Sequence, residues 1–244
     1  MTERFFAIGD IHGEIDMMKE MVQKWDGKQQ LILVGDLIDR GPDSKACLLY
    51  GKELVETHGA IWLKGNHEVM FLAWIDDPSD RYDHYRRNGG DTTINSLLGR
   101  PLNHEVDGIE DAKLVKEQYA ALIQFIRERP LYVEFDQYIF VHAGVDLELA
   151  DWHDSTPRDY VWIRKEFHEA KNTTGKMIVF GHTPLENLVG EPATKKLWVS
   201  DGKIGIDGGA VYHGVLHGVS FDAKGIVEDH ILVHKNYTGV LLDD

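Results

Sequence analysis

The run Leu31-Ile32-Leu33-Val34-Gly35-Asp36-Leu37-Ile38-Asp39-Arg40-Gly41 decides the fold. Four apolar residues in a row, stopped by glycine, read as a short strand buried on both faces. Two carboxylates and an arginine come directly after its end. Working outward, the pattern recurs. Upstream, Phe5-Phe6-Ala7-Ile8 runs into Gly9-Asp10-Ile11-His12-Gly13; downstream, Ala60-Ile61-Trp62-Leu63 leads to Gly65-Asn66-His67-Glu68. Between these runs lie helical patterns. Residues 14–25 place Ile15, Met18, Met21, Val22 and Trp25 on one face. A second helix is expected after Gly41-Pro42, with Pro42 near its first turn. Strand, helix, strand, helix, strand predicts largely parallel pairing with right-handed crossovers, hence an α/β fold.

Residues 68–130 read as mostly helical; Leu114, Tyr119, Leu122, Ile123 and Ile126 fit a helix that stops before Pro130. Beyond it the chain turns to strands. Leu131–Phe135 and Tyr138–His142 predict a hairpin across Asp136-Gln137, and Trp198–Ser200 with Lys203–Ile206 another across Asp201-Gly202. Val215–Phe221 and Ile226–Val233 come next. The expected architecture is α/β with a second, more antiparallel set of strands. One domain over residues 1–244 is expected, with a mostly helical insertion at about 68–130.

Composition narrows the function. The formal charge of −15 disfavours nucleic acid and anionic membranes as partners. With one cysteine, Cys47, no intramolecular disulfide can form, which suits a reducing compartment. No apolar run is long enough for a membrane span, and Met1–Ile8 is too short and polar for a secretory signal, so a cytoplasmic protein is expected. Cys47 is expected to be a small buried hydrophobe. As a phosphatase nucleophile it would need an arginine six residues on, where Glu53 stands. No Gly-Lys pair is followed by Ser or Thr, which excludes a Walker A loop. Asp243-Asp244 reads as a solvated tail.

Two later strands end in His142-Ala143-Gly144 and Gly181-His182-Thr183. Ligands of open α/β sheets bind outside the carboxyl ends of the strands. Five strands therefore carry Asp10, His12, Asp36, Asn66, His142 and His182 toward one edge. Carboxylate and amide oxygens with imidazole nitrogens suit divalent ions of borderline hardness. In Asp10-x-His12 the spacing of two points both side chains the same way from extended backbone. Asp36 is the natural bridge, since one carboxylate can serve two cations about 3.5–4 Å apart. Taken singly, Asp10 or Asp36 would as readily cap a helix. The recurrence of matched motifs argues against that.

The motifs GDIHG (9–13), GDLIDRG (35–41) and GNHE (65–68), with HAG (142–144) and GHT (181–183) behind them, resemble those of the calcineurin-like metallophosphoesterases. Within that family they look like the bacterial serine/threonine phosphoprotein phosphatases. The resemblance implies a sandwich of two mixed β-sheets flanked by helices. It implies that Asp10, His12 and Asp36 hold one metal, and Asp36, Asn66, His142 and His182 a second. Manganese is the expected metal, with iron, zinc or cobalt as alternatives. Arg40 and Arg164 would grip phosphoryl oxygens. His67 would protonate the leaving group, with Asp39 orienting its ring. Catalysis would proceed by direct attack of a metal-bridging hydroxide. The implied substrate is a phosphoserine or phosphothreonine protein; the alternative is a small phosphoester or nucleotide, with the chain acting as a symmetrical dinucleoside polyphosphate hydrolase. Symmetrical tetraphosphatases lack an aspartate at the position of Asp39, which tips the reading toward the phosphatase. A non-catalytic binding scaffold is disfavoured by the complete residue set. Asn88-Gly89-Gly90 resembles a segment of the bacterial phosphatases near the pocket, or is a helix-stopping turn. Tyr212 leans over the pocket or packs.

Overall fold

The structure is a computed structural model that describes residues 4–191 and 195–237, so the Asp243-Asp244 tail lies outside the described residues. Strands β1 (Phe5–Ile8), β2 (Gln30–Leu33) and β3 (Ile61–Trp62) pair in parallel, with Phe6 opposite Leu31 and Ile32 opposite Ile61. Helices α1 (Ile15–Val22) and α2 (Ser44–His58) make the crossovers. Helix α1 ends before Trp25, whose indole donates instead to the Gln29 carbonyl at 2.9 Å. The Asp43 side chain caps α2 by accepting from the Ala46 amide, so Pro42 precedes the cap and lies outside the first turn.

Four helices come next: α3 (Asn66–Asp76), α4 (Pro78–Arg87), α5 (Gly90–Leu98) and α6 (Glu110–Arg127), the last bent at Tyr119. Helix α3 begins at Asn66, so the third motif forms a helical first turn. The second sheet holds β4 (Tyr132–Glu134), β5 (Tyr138–Val141), β6 (Met177–Phe180), β7 (Trp198–Ser200) and β8 (Lys203–Gly205) in the order β4-β5-β6-β8-β7. Its connections carry the short helices α7 (Pro157–Trp162), α8 (Lys165–Glu169) and α9 (Leu185–Val189).

The expected second antiparallel set is divided between the sheets. In the second sheet β5, β6 and β8 are parallel. The antiparallel pair β9 (Val215–Asp222) and β10 (Gly225–Val233) joins the first sheet, which runs β10-β9-β1-β2-β3. Burial of β9 on both faces explains this: a strand with no wet face must sit inside a sheet.

Side-chain parity then assembles the layers. Phe5, Ala7, Ile32, Val34, Val219 and Phe221 meet Tyr138, Phe140, Val179 and Ile204 between the two sheets. The alternate residues Phe6, Ile8, Leu31 and Leu33 pack against the helices of the first face. Ile139, Val141, Ile178 and Phe180 form the outer face of the second sheet with Tyr160 and Phe167. The fold is thus an α/β sandwich of two mixed five-stranded sheets flanked by helices. Among the described residues no helix is long and apolar enough to cross a membrane. Cys47 is buried, and burial pushes its thiol pKa up.

Candidate active site

One edge of the sandwich gathers the strand ends of both sheets. Asp10 and His12 lie just past β1; Asp36, Asp39 and Arg40 lie just past β2. Asn66, His67 and Glu68 form the first turn of α3. His142 stands at the end of β5 and His182 at the end of β6. The backbone there is held in an uncommon state. Seven described non-glycine residues have positive φ, and five of them are His12, Asp36, Asp39, Arg40 and His182. Such conformations cost on the order of 1–3 kcal/mol each and persist only where the surroundings enforce them. Two glycines make room for this packing. A Cβ on Gly41 would lie 1.9 Å from the His12 carbonyl oxygen, and one on Gly65 would lie 2.1 Å from Asp36 Oδ1.

The sequence-predicted residues are brought together around Asp36. Its Oδ2 lies 3.3 Å from His142 Nε2, 3.6 Å from His12 Nε2 and 4.0 Å from His67 Nε2. Its Oδ1 accepts from the His67 amide at 2.9 Å. Asn66 Oδ1 is 3.0 Å from His142 Nε2. The Asp10 carboxylate accepts from the His182 amide. Asp36, despite a burial that opposes ionisation, is held well below the usual carboxylate range by His142 and His67. Asp10 is pushed the other way, by burial and then by the neighbouring Asp207.

These residues fit divalent cations. Potential ligand atoms of His12, Asp36 and His67 lie within 4.8 Å of one another, and so do those of Asp36, His142 and His182; the first group thus holds His67 where the resemblance implies Asp10, whose carboxylate instead accepts from the His182 amide. Three imidazoles are set to offer Nε2. His12 and His142 each face a backbone carbonyl with Nδ1, Ile38 at 2.7 Å and Val34 at 2.9 Å, which fixes the tautomer in the manner of metal-binding histidines. His182 Nε2 is buried with no hydrogen-bond partner. Burial drives the His12 and His182 pKa values down, the neutral state a ligand needs; His142, beside Asp36, is instead raised to about 10 and carries the proton that a cation would replace. Arg40 Nη1 donates to His12 Nε2 at 2.8 Å; an ion held by His12 would take over that lone pair and free the guanidinium for an anion in the pocket.

His67 is built differently from the other three. Its Nδ1 donates to Asp39 Oδ2 at 2.6 Å, and its Nε2 faces the pocket. Asp39 is fully buried, and its other oxygen accepts from the Tyr85 hydroxyl at 2.7 Å and the Thr93 hydroxyl at 2.6 Å. The pocket above the cluster is also lined by Arg40, Asn88, Trp162, Arg164 and Tyr212. Arg164 Nη1 donates to Thr183 Oγ1 at 2.9 Å. Tyr212 is 56% exposed, with the Arg40 guanidinium 5.4 Å from its ring centre, so it borders the pocket and is not core packing. Gly89 holds Arg40 in place: its carbonyl accepts from the Arg40 amide, and a Cβ there would strike the Arg40 side chain.

Four residues that shape this site have no role legible in the motifs. Tyr85 and Thr93 support Asp39 from α4 and α5. Asp207 lines the pocket beyond β8; burial raises its pKa to about 6. The sequence does carry a signal for it, because Ile204-Gly205-Ile206-Asp207 repeats the pattern of an apolar strand running into aspartate. Glu68 is buried, and its carboxylate accepts from the amides of Asp36, Leu37 and Gly65 at 3.0, 2.8 and 2.7 Å. It thereby ties the loop after β2 to the loop after β3. Glu68→Gln removes one of these acceptors without changing size. It is expected to weaken Mn²⁺ affinity about 10–100-fold, measured by titration calorimetry. Wild-type affinity in that variant would show that the clamp is irrelevant to the metal centre.

Known proteins resemble this chain in sequence and in fold. A chain of Janthinobacterium sp. (strain Marseille) named bis(5'-nucleosyl)-tetraphosphatase, symmetrical, is 31% identical over 143 residues, 57% of this chain; the match spans only 43% of that relative's own length. A chain of Bacillus mycoides (strain KBAB4) named bis(5'-nucleosyl)-tetraphosphatase PrpE, asymmetrical, is 28% identical over 245 residues, 89% of this chain and 90% of the relative. Among solved structures, one titled as a putative diadenosine tetraphosphatase superposes with a TM-score of 0.64 at 19% identity, over 97% of this chain and 96% of that one, which supports the fold. Residues 3–209 match the profile of the calcineurin-like phosphoesterases, and the chain belongs to that family.

Proposed function

We propose that this phosphoesterase hydrolyses dinucleoside polyphosphates, with two divalent ions, Mn²⁺ foremost. The observation that carries this is the match along nine tenths of both chains to a relative named for that activity. It displaces the phosphoprotein reading as the leading one. The symmetrical relative matches over less than half of its own length, and the resemblance by motif sets Asp39 apart from the symmetrical enzymes. The cut we expect is therefore asymmetrical.

In this reading Asp10, His12 and Asp36 hold one ion, and Asp36, Asn66, His142 and His182 the other. When bound, the ions supply a nucleophilic water at neutral pH and neutralise charge at phosphorus. Arg40 and Arg164 bind the non-bridging oxygens through charge-assisted hydrogen bonds. His67 holds a proton at Nε2 for the departing oxygen, while Asp39 fixes the ring by its bond to Nδ1. The supports of Asp39 come from α4 and α5 and Asn88 from the turn between them, so we read that helical segment as a wall of the same unit.

One observation favours a second reading. The buried Asp39–His67 pair is most useful where the leaving group is a poor one, as in a serine or threonine phosphomonoester. A single assay separates the two: the same Mn²⁺-loaded preparation is given diadenosine tetraphosphate and phosphoserine or phosphothreonine peptides. The expected result is ATP and AMP from the dinucleotide at a far higher kcat/KM than phosphate from the peptides. Two molecules of ADP would make the enzyme symmetrical, and preference for the peptides would restore the phosphoprotein reading.

A further inference from the structure

Behind Arg164, bordered by α8, α9 and β7, lies a cleft of about 370 Å³. Sites that enclose small ligands run about 300–1,000 Å³. Arg164 lines both this cleft and the catalytic pocket. We propose that this cleft holds one nucleoside of the substrate, its base against Trp198 and its phosphates passing Arg164 into the catalytic pocket. The inference rests on the dinucleotide reading above.

The first argument is electrostatic continuity. A polyphosphate crossing a chain of net charge −15 needs cations along its path. Arg164 supplies one at the border and is tethered there by Thr183. Lys165, next to it, and Glu169 both line the cleft, so the lining holds two cations and one carboxylate, and the Lys165–Glu169 contact is long, at 3.9 Å between two exposed side chains. Such a pair holds its partners loosely and leaves the ammonium available.

The second argument is the kind of surface the cleft presents. Trp198 is half-buried on the edge strand β7, braced by Phe180 at 5.9 Å and His168 at 6.0 Å between ring centres. Bases of any kind stack on such aromatic platforms. His168 also lines the cleft, and its Nε2 is buried without a hydrogen-bond partner. Burial lowers its pKa to about 4, so the ring is neutral at physiological pH. The neutral imidazole and the tryptophan line one wall, with the buried Lys203 ammonium 6.0 Å from the Trp198 ring centre, and the Asn187 amide also lines the cleft.

A competing cleft of about 400 Å³ adjoins Trp162. Its floor is apolar, from Val69, Leu72, Leu131 and Val161. Its lysine, Lys64, is already bonded to the Arg127 carbonyl at 2.7 Å. It shares Trp162 with the catalytic pocket and no cation. Arg158 lines it as well, but its guanidinium lies 5.9 Å from the Trp162 ring centre and outside the catalytic pocket, whereas Arg164 lines both spaces, which favours the Arg164 side.

The test is a comparison of substrates on the Mn²⁺-loaded full chain. Trp198→Ala is expected to raise KM for diadenosine tetraphosphate about tenfold relative to KM for p-nitrophenyl phosphate, which has no nucleoside. Trp198→Phe, which keeps a ring, should recover most of that loss. Lys165→Glu, a change at an exposed side chain, is expected to raise the same KM ratio about threefold or more and guards against misfolding of the tryptophan variants. Photolabelling with 8-azido-ATP should place the label on residues of the cleft. If both Trp198→Ala and Lys165→Glu cleave the dinucleotide with wild-type KM, or the label falls beside Trp162, the cleft assignment is wrong while the dinucleotide reading stands. If the wild type ignores the dinucleotide and dephosphorylates peptides, both readings fall.

Discussion

Exhaustive dialysis against EDTA is expected to lower the hydrolysis of p-nitrophenyl phosphate by about 10³-fold or more, and Mn²⁺ to restore it. The size reflects the groups that remain when no cation is present. Asp10, Asp36, Glu68 and Asp207 are all buried at this edge of the sandwich. Asp36 is held ionised among them, its charge opposes that of Arg40 and Arg164, and a phosphate dianion entering the pocket meets this carboxylate in a poorly screened setting. The same groups attract divalent ions. Ligands that bind the folded state alone also stabilise it by mass action, so the melting temperature should rise with Mn²⁺ concentration. Activity that survives chelation, with elemental analysis showing less than about a tenth of an ion per chain, would remove the two-metal account.

His67→Asn is expected to lower kcat about 10²–10⁴-fold on phenyl phosphate, a poor leaving group, and much less on p-nitrophenyl phosphate. The geometry makes the distinction. His67 spends Nδ1 on Asp39 and is the imidazole of the cluster whose ring is held by a buried carboxylate and not by a backbone carbonyl. Asp39 in turn is fixed by Tyr85 and Thr93. That chain of hydrogen bonds aims a proton and need not hold an ion. The variant should therefore bind Mn²⁺ with wild-type stoichiometry. Equal losses on both substrates, or loss of the metals, would show that His67 serves as a ligand, a role its 4.0 Å approach to Asp36 leaves geometrically open.

Much of the site is legible because glycine-stopped apolar runs name the ends of strands, and strand ends share an edge. That logic places Asp10, His12, Asp36, Asn66, His142 and His182 in one region, and the structure brings them together there. It does not reach Glu68, although Glu68 closes the GNHE motif. The partners of Glu68 are backbone amides of another loop, and amides carry no residue-type signature. Asp207 is masked because the strand before it also fits one arm of a hairpin, and a hairpin arm gives no reason to look past its end. The sheet membership of β9 is equally hidden: a doubly buried strand announces that it has neighbours but not which ones. Tyr85 and Thr93 support Asp39 across 46 and 54 residues of chain, distances at which pattern alone says nothing.

The strand ends at the active edge come from both sheets, and this has a consequence for fragments of the chain. A fragment ending at Arg127 carries Asp10, His12, Asp36 and Asn66; His142 and His182 belong to the complementary fragment. Neither piece can build the centre alone, yet mixing them is expected to, since the β1–β9 pairing and the core between the sheets are the surfaces along which they would reassociate. Recovery of turnover on mixing would then count docked sandwiches, and an added ion would act as a clamp that draws the two pieces into register.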